Sequence, residues 1–306
     1  MIFAKYWAQA DLLLQVLPHV AKEKIFALKG GTAINLFVLD MPRLSVDIDL
    51  TYLPFDDRST ALHNISEGLS RIKQNLEKSV KNLTVTPALR ENEDIKLHCQ
   101  LDKAQIKIEV NSTTRGIIQP VRLLQVSETV QKEFKKFAAI NVVSQAELYG
   151  GKICAALDRQ HPRDLFDVHL LFENEGYTDD IKIGFLTALL SHMRPINEVL
   201  FPHLSDQKET FENQFSGMTA APFSYEEYEN TRKRLLNEIH SKLKETDKSF
   251  LLSFKNGEPD WKLFPVENLK DFPAVKWKLE NLKKLKETNP KKHAEFVKVL
   301  EEKLKS

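Results

Sequence analysis

The chain has 306 residues, of which 28% are charged, and 44 lysines and arginines against 43 aspartates and glutamates leave a formal net charge of +1. That length carries one large or two modest domains with an ample core. The near-cancelling charge excludes a protein that wraps nucleic acid through a global basic excess, so any RNA contact has to be local.

Cys99 and Cys154 are too few for a disulfide framework or a zinc site and fit a reducing interior. The opening MIFAKYWAQADLLLQVLPHV is interrupted by Lys5, Gln9, Asp11 and Gln15, so it is not expected to be a signal peptide. Nothing further on approaches the roughly 20 apolar residues of a membrane span. A soluble cytoplasmic protein is the expectation.

The first element is a packing helix over about Tyr6 to Glu23, with Leu12, Leu13, Val16, Leu17 and Val20 at helical spacing. A short apolar strand, Ile25 to Leu28, leads into Gly30-Gly31 and a one-to-two-turn helix carrying Ile34, Leu36 and Phe37. In the next strand Val46, Ile48 and Leu50 alternate with Ser45, Asp47, Asp49 and Thr51, which turns both aspartates to the face opposite the apolar residues. Aspartate is depleted from strands, and two held together are a ready ligand set for a hard divalent cation. Residues without side chains let a phosphate approach the amides at a helix start, where the dipole favours negative charge. A solvated edge strand and a tight turn account for each feature taken alone.

After Pro54 an amphipathic helix runs from about Asp57 to Val80, with Leu62, Ile65, Leu69, Ile72, Leu76 and Val80 on one stripe. Three strand-like segments follow: Leu83 to Leu89, Ile95 to Leu101 and Gln105 to Asn111, the last two joined by a hairpin loop at Asp102 to Ala104. In the third, Ile106, Ile108 and Val110 alternate with Lys107, Glu109 and Asn111. If that strand pairs with the one bearing Asp47 and Asp49, Glu109 is equally a third carboxylate of a cation site and a partner for Lys107 or Lys96.

Beyond Gly116 come a strand-like VRLLQV, a short helix over about Glu128 to Phe137 and a strand-like AAINVV. Ser144 and Glu147 form a capping box that starts the helix SQAELYGGKICAALDRQ. Gly150-Gly151 inside it costs about 2 kcal/mol relative to alanine, which calls for something packed or bound closely, and Lys152 follows at once. In HPRDLFDVHLLF, Pro162 suits a first helical turn. Asp164 and Asp167 then share a face, where acids stabilise the dipole by about 0.3 to 1 kcal/mol each. His161 and His169 lack partners at metal spacing. From Leu171 the chain is largely helical, with Ser205 to Pro222 as the linker candidate and a solvated lysine-rich end, Lys276 to Lys305.

Gly30-Gly31-Thr32, a gap and Asp47-x-Asp49 resemble the signature of the DNA polymerase beta-like nucleotidyltransferases. LKGGTAINL followed by RLSVDIDL is similar to the AbiEii-type toxins of type IV toxin–antitoxin systems. The resemblance implies an α+β fold: a polymerase beta-like nucleotidyltransferase core with a mixed, mostly antiparallel sheet flanked by helices, plus a helical C-terminal domain. The division expected is 1–143 for the core and 144–306 for the helical part.

It further implies a two-magnesium site on Asp47, Asp49 and Glu109, with Ser45 supporting, and an NTP held at Gly30, Gly31 and Thr32. Lys152 resembles the family lysine that meets the triphosphate, although Ala146 stands where the family has Asp or Thr. Arg163 to Asp167 resembles a further motif in which Asp164 acts and Arg163 and Asp167 support it, with Arg159 a second candidate for pairing. The activity implied is NMP transfer to an RNA, at the acceptor end of tRNA, or to a protein hydroxyl. The partner implied is a winged-helix antitoxin. A small-molecule acceptor such as an aminoglycoside, and a non-catalytic nucleotide-binding module, are the alternatives.

Overall fold

The computed structural model describes residues 3–90 and 93–305. The first two residues of the opening segment and the Glu91-Asn92 link lie outside them. The chain folds into two compact units, Met1–Ser144 with Phe215–Phe223, and Gln145–Gln214 with Ser224–Ser306.

In chain order the first unit contains α1 (Phe3–Val20), β1 (Phe26–Lys29), α2 (Gly30–Ala33), β2 (Asp47–Tyr52), α3 (Arg58–Ser79), β3 (Thr84–Arg90), β4 (Glu93–Leu101), β5 (Ala104–Asn111), β6 (Arg122–Gln125), α4 (Glu128–Phe134) and β7 (Ala139–Val142). A π-helical turn, Ile34–Val38, continues α2 and buries Ile34, Leu36 and Phe37. Among the described residues the strands form one seven-stranded sheet in the order β3-β4-β5-β2-β1-β7-β6. The β2/β5 and β1/β7 pairs are parallel and the others antiparallel, the mixed, mostly antiparallel sheet expected.

Period-two alternation makes the sheet two-faced. Ile48, Leu50, Leu97, Ile106, Ile108 and Val110 are buried, and α1 and α3 pack on the sheet and on each other. On α3, Ile65, Leu69, Ile72 and Leu76 are fully buried, at about 1.5 to 3 kcal/mol each. Asp57 starts that helix by accepting from the backbone amides of Ser59 and Thr60. The β4–β5 hairpin turns on Asp102 in the left-handed region, which aspartate tolerates.

The second unit is helical: α5 (Gln145–Arg159), α6 (Pro162–Asn174), α7 (Asp179–Ser191), α8 (Ile196–Leu200), α9 (Lys208–Gln214), α10 (Tyr225–Lys242), α11 (Glu245–Lys255), α12 (Pro273–Thr288) and α13 (Pro290–Lys305). A capping box of Ser224 and Glu227 opens α10. Pro162 sits in the first turn of α6, whose N-cap His161 accepts the Arg163 amide through Nδ1 at 3.1 Å. No helix among the described residues is long and apolar enough to cross a membrane.

The expected linker at 205–222 is structured. Its first part forms α9, and Phe215–Phe223 belongs to the first unit. There the Phe215 and Phe223 rings meet edge to face at 5.7 Å, Ala220 donates to the Pro42 carbonyl at 2.8 Å, and Arg43 bridges Thr219. Polar composition concealed two buried phenylalanines.

Candidate active site

The carboxylates of the first unit share a face because of strand register. β2 and β5 run parallel with Asp49 opposite Glu109 and Asp47 opposite Lys107. The row through Asp49 continues to Lys29 on β1 and, through Glu109, to Lys96 on β4. Two adjacent acids are thus flanked on either side by a lysine. Asp47 and Glu109 keep 38% and 36% of their side chains open to solvent, on the face opposite the buried aliphatic set.

The acids do not close on one another. Among the described residues no three His, Cys, Asp or Glu side chains stand at metal-ligand spacing. Lys107 Nζ lies 3.8 Å from Asp47 Oδ2 and 3.5 Å from Glu109 Oε2, and Lys96 Nζ lies 3.1 Å from Glu109 Oε2. Like charges in register repel, and the ammonium relieves that. Of the two sequence readings of Glu109, the structure shows the pairing with Lys107 and Lys96, on the same sheet face as the aspartates.

The glycine turn is shaped by the same carboxylates. Gly30 has a φ of +72°, and a Cβ there would stand 2.6 Å from Asp49 Oδ2. Backbone conformation and space both demand glycine. A Cβ on Gly31 would stand 2.7 Å from an Arg43 guanidinium nitrogen and 3.2 Å from Ser45 Oγ. Thr32 is fully buried, its hydroxyl donating to the Asp47 carbonyl and lying 3.0 Å from Ser45 Oγ. Thr32 and Ser45 thereby tie the turn to the start of β2. Lys29, the N-cap of α2, makes no side-chain cap.

The second unit holds a different arrangement. Lys152, 8% exposed, donates to Asp164 Oδ1 at 2.7 Å and lies 3.0 Å from Asp167 Oδ2, with those carboxylates 1% and 0% exposed. Arg159 adds a two-pronged contact to Asp164, at 2.6 and 3.0 Å. Burial pushes the Asp164 carboxyl up, but the neighbouring Lys152 and Arg159 charges outweigh it and hold it well below the usual carboxylate range. The i, i+3 face expected for Asp164 and Asp167 is the face that grips Lys152.

The first glycine of the doublet before Lys152 serves packing. A Cβ on Gly150 would stand 2.2 Å from the Gly184 backbone, and one on Gly184 would stand 1.9 Å from the Ala146 carbonyl oxygen. The α5 and α7 backbones therefore touch. Gly151 meets nothing within 4 Å.

The family model described as "Nucleotidyl transferase AbiEii toxin, Type IV TA system" matches residues 11–281. The chain belongs to the AbiEii family. This AbiEii chain is also similar in fold to MenT4, a nucleotidyltransferase toxin from Mycobacterium tuberculosis H37Rv. The TM-score is 0.62 at 14% identity, with 91% of this chain and 94% of that one covered. No curated protein matches it in sequence. The fold expected from the resemblance, a nucleotidyltransferase core with a helical C-terminal part, is the one present.

Among the AbiEii residues expected at a site, register brings Asp47, Asp49 and Glu109 onto one face, and Gly30, Gly31, Thr32 and Ser45 border it. Lys152, Asp164 and Asp167 form a cluster of their own. Of the two arginines expected as pairing candidates, Arg159 at the end of α5 is the one whose guanidinium grips Asp164. Arg43 was missed: it is buried, 3% exposed, and packs on Gly31. An arginine just before a strand carries no periodic signal of burial, and only the bare glycine opposite hinted at it.

Proposed function

We propose that this AbiEii-family toxin is a metal-dependent nucleotidyltransferase that moves an NMP from an NTP to a hydroxyl of an RNA, at the acceptor end of tRNA, or of a protein. The observation that carries this reading is the pairing of Asp49 with Glu109 on an open sheet face, beside a Gly30 that only glycine can fill without displacing the Asp49 carboxylate.

Hard carboxylate oxygens, open to water and balanced by exchangeable ammonium groups, suit magnesium. Bound cations would supply charge neutralisation at the triphosphate and activation of the acceptor hydroxyl. Asp47 and Asp49 would hold them, with Glu109 completing the set nearest the acceptor. The first-turn amides at Gly30 and Gly31 lack intrahelical partners by geometry, and they would receive phosphate oxygens. Thr32 and Ser45, facing inward, keep the turn in register with β2.

In the second unit Lys152 would neutralise phosphate charge. Asp164 and Asp167 set the position of its ammonium, and Arg159 offers an exposed guanidinium to an anion. Arg163, half-buried beside the N-cap of α6, supports that end of the helix. Family membership implies an antitoxin partner; a winged-helix protein encoded alongside is the form we propose.

Purified protein incubated with each labelled NTP, magnesium, total RNA and cell protein tests the proposal. Label in RNA or protein, lost on adding EDTA, is expected. Absence of label with every NTP overturns it in favour of a non-catalytic nucleotide-binding module.

A further inference from the structure

One charge on the carboxylate face has no task in that scheme. Lys107 sits two residues before Glu109 on β5 and opposite Asp47 on β2. Its ammonium stands between their carboxylates, 3.8 Å from one and 3.5 Å from the other. From the neighbouring strands Lys96 reaches the same Glu109 oxygen at 3.1 Å, and Lys29 lies in register with Asp49. The ammonium groups of Lys107 and Lys96 thus meet two of the side chains proposed to hold metal.

Both Lys107 pairings are half-open to water, with the lysine 37% exposed. Exposed pairs of this sort are screened and easily exchanged. A four-carbon stem carrying a compact ammonium can leave toward solvent without moving the strand.

We propose that Lys107 is a displaceable counter-ion. Its ammonium holds the place of a cation between Asp47 and Glu109, and it must swing away for a divalent ion to take those oxygens. The inference rests on the metal-dependent reading above. It makes Lys107 a positioning residue: it balances the charge of the two acids at low magnesium and sets the concentration at which the site fills.

Retaining a positive charge about 5 Å from a divalent ion weakens binding roughly tenfold even at the dielectric of water. Removing it has the reverse effect. The test is Mn²⁺ binding to the full chain at low salt, followed by electron paramagnetic resonance of the free ion, for the wild type and for Lys107→Met, Lys107→Gln, Lys107→Arg and Asp49→Asn. Circular dichroism checks that each variant is folded.

Mn²⁺ binding should tighten roughly tenfold in Lys107→Met and Lys107→Gln, stay near wild type in Lys107→Arg, and weaken in Asp49→Asn. The magnesium concentration for half-maximal NMP transfer should fall in parallel in the two neutral variants. Unchanged Mn²⁺ affinity in them, with Asp49→Asn still weakened, overturns the counter-ion role and leaves the metal-dependent reading standing. If neither the wild type nor any variant binds Mn²⁺, that reading fails and the counter-ion role fails with it.

Discussion

The two units treat charge in opposite ways. On the sheet of the first, Asp47 and Glu109 remain more than a third exposed and are met by lysines at 3.1 to 3.8 Å. In the helices of the second, Asp164 and Asp167 are sealed from water and clamped by Lys152 at 2.7 to 3.0 Å. Exposed pairs contribute about 0 to 1 kcal/mol, whereas breaking a buried one costs about 3 to 5 kcal/mol. The sheet acids are therefore free to change partners, and the helical acids are committed to theirs. A cation site needs the first property; a fixed ammonium needs the second.

The largest effect should come from Asp49→Asn. Loss of one proposed metal oxygen removes several kcal/mol of charge stabilisation in transfer, about 10³-fold or more at 1.36 kcal/mol per tenfold. Because the side chain stands on an open face, Tm should stay within about 2 °C of wild type. Radiolabel transfer and thermal melting measured on the same preparation separate the two. Retained transfer, or a collapse of Tm, would erase the contrast from the side of the sheet.

Lys152→Met probes the other side. It leaves two buried carboxylates without their shared ammonium, at a cost of about 3 to 5 kcal/mol of stability, read as a lower urea midpoint alongside weaker transfer. A midpoint no lower than that of Asp49→Asn would show the cluster to be as loosely held as the sheet acids. Acid titration sharpens the point. With the folded Asp164 carboxyl below its ordinary range, the unfolded chain takes up the proton first as pH falls. Its stabilisation is thus complete above the usual carboxylate range and lost below it. Arg159→Met removes one of the charges that hold that carboxyl down, so its acid unfolding midpoint, followed by circular dichroism, should move to higher pH.

How much of this the sequence made legible follows the range of each signal. Period-two alternation reports the face of a strand, so Asp47, Asp49 and Glu109 could be assigned a common side before their strands were known to be neighbours. Register is a long-range property. Nothing local to Lys107 says that Asp47 lies opposite it, which is why the sequence offered Lys107 as a partner for Glu109 and not for Asp47 as well. The glycine pair singled out Lys152, but its burial between two carboxylates carried no local signal, because those partners lie 12 and 15 residues on, across a helix break. The 205–222 stretch was read as linker for a similar reason: Phe215 inside it and Phe223 just beyond it bury each other's rings across a polar stretch, and single aromatics show no period.

The glycine doublet before Lys152 gives the finest version of the comparison, since adjacent residues meet opposite surroundings. At Gly150 an added methyl would enter the Gly184 backbone. Backbone cannot step aside as a side-chain tip can, so Gly150→Ala should force α5 and α7 apart and lower stability by about 1 to 3 kcal/mol. At Gly151, exposed and with nothing within 4 Å, the methyl meets only water, and helix propensity alone decides. Gly151→Ala should therefore stabilise the chain by about 0.5 to 1 kcal/mol. Equilibrium urea unfolding of the two variants side by side reads both signs. Loss of stability in both would mean that the open side of α5 is filled in solution, and that the doublet serves a bound group as well as the helix crossing.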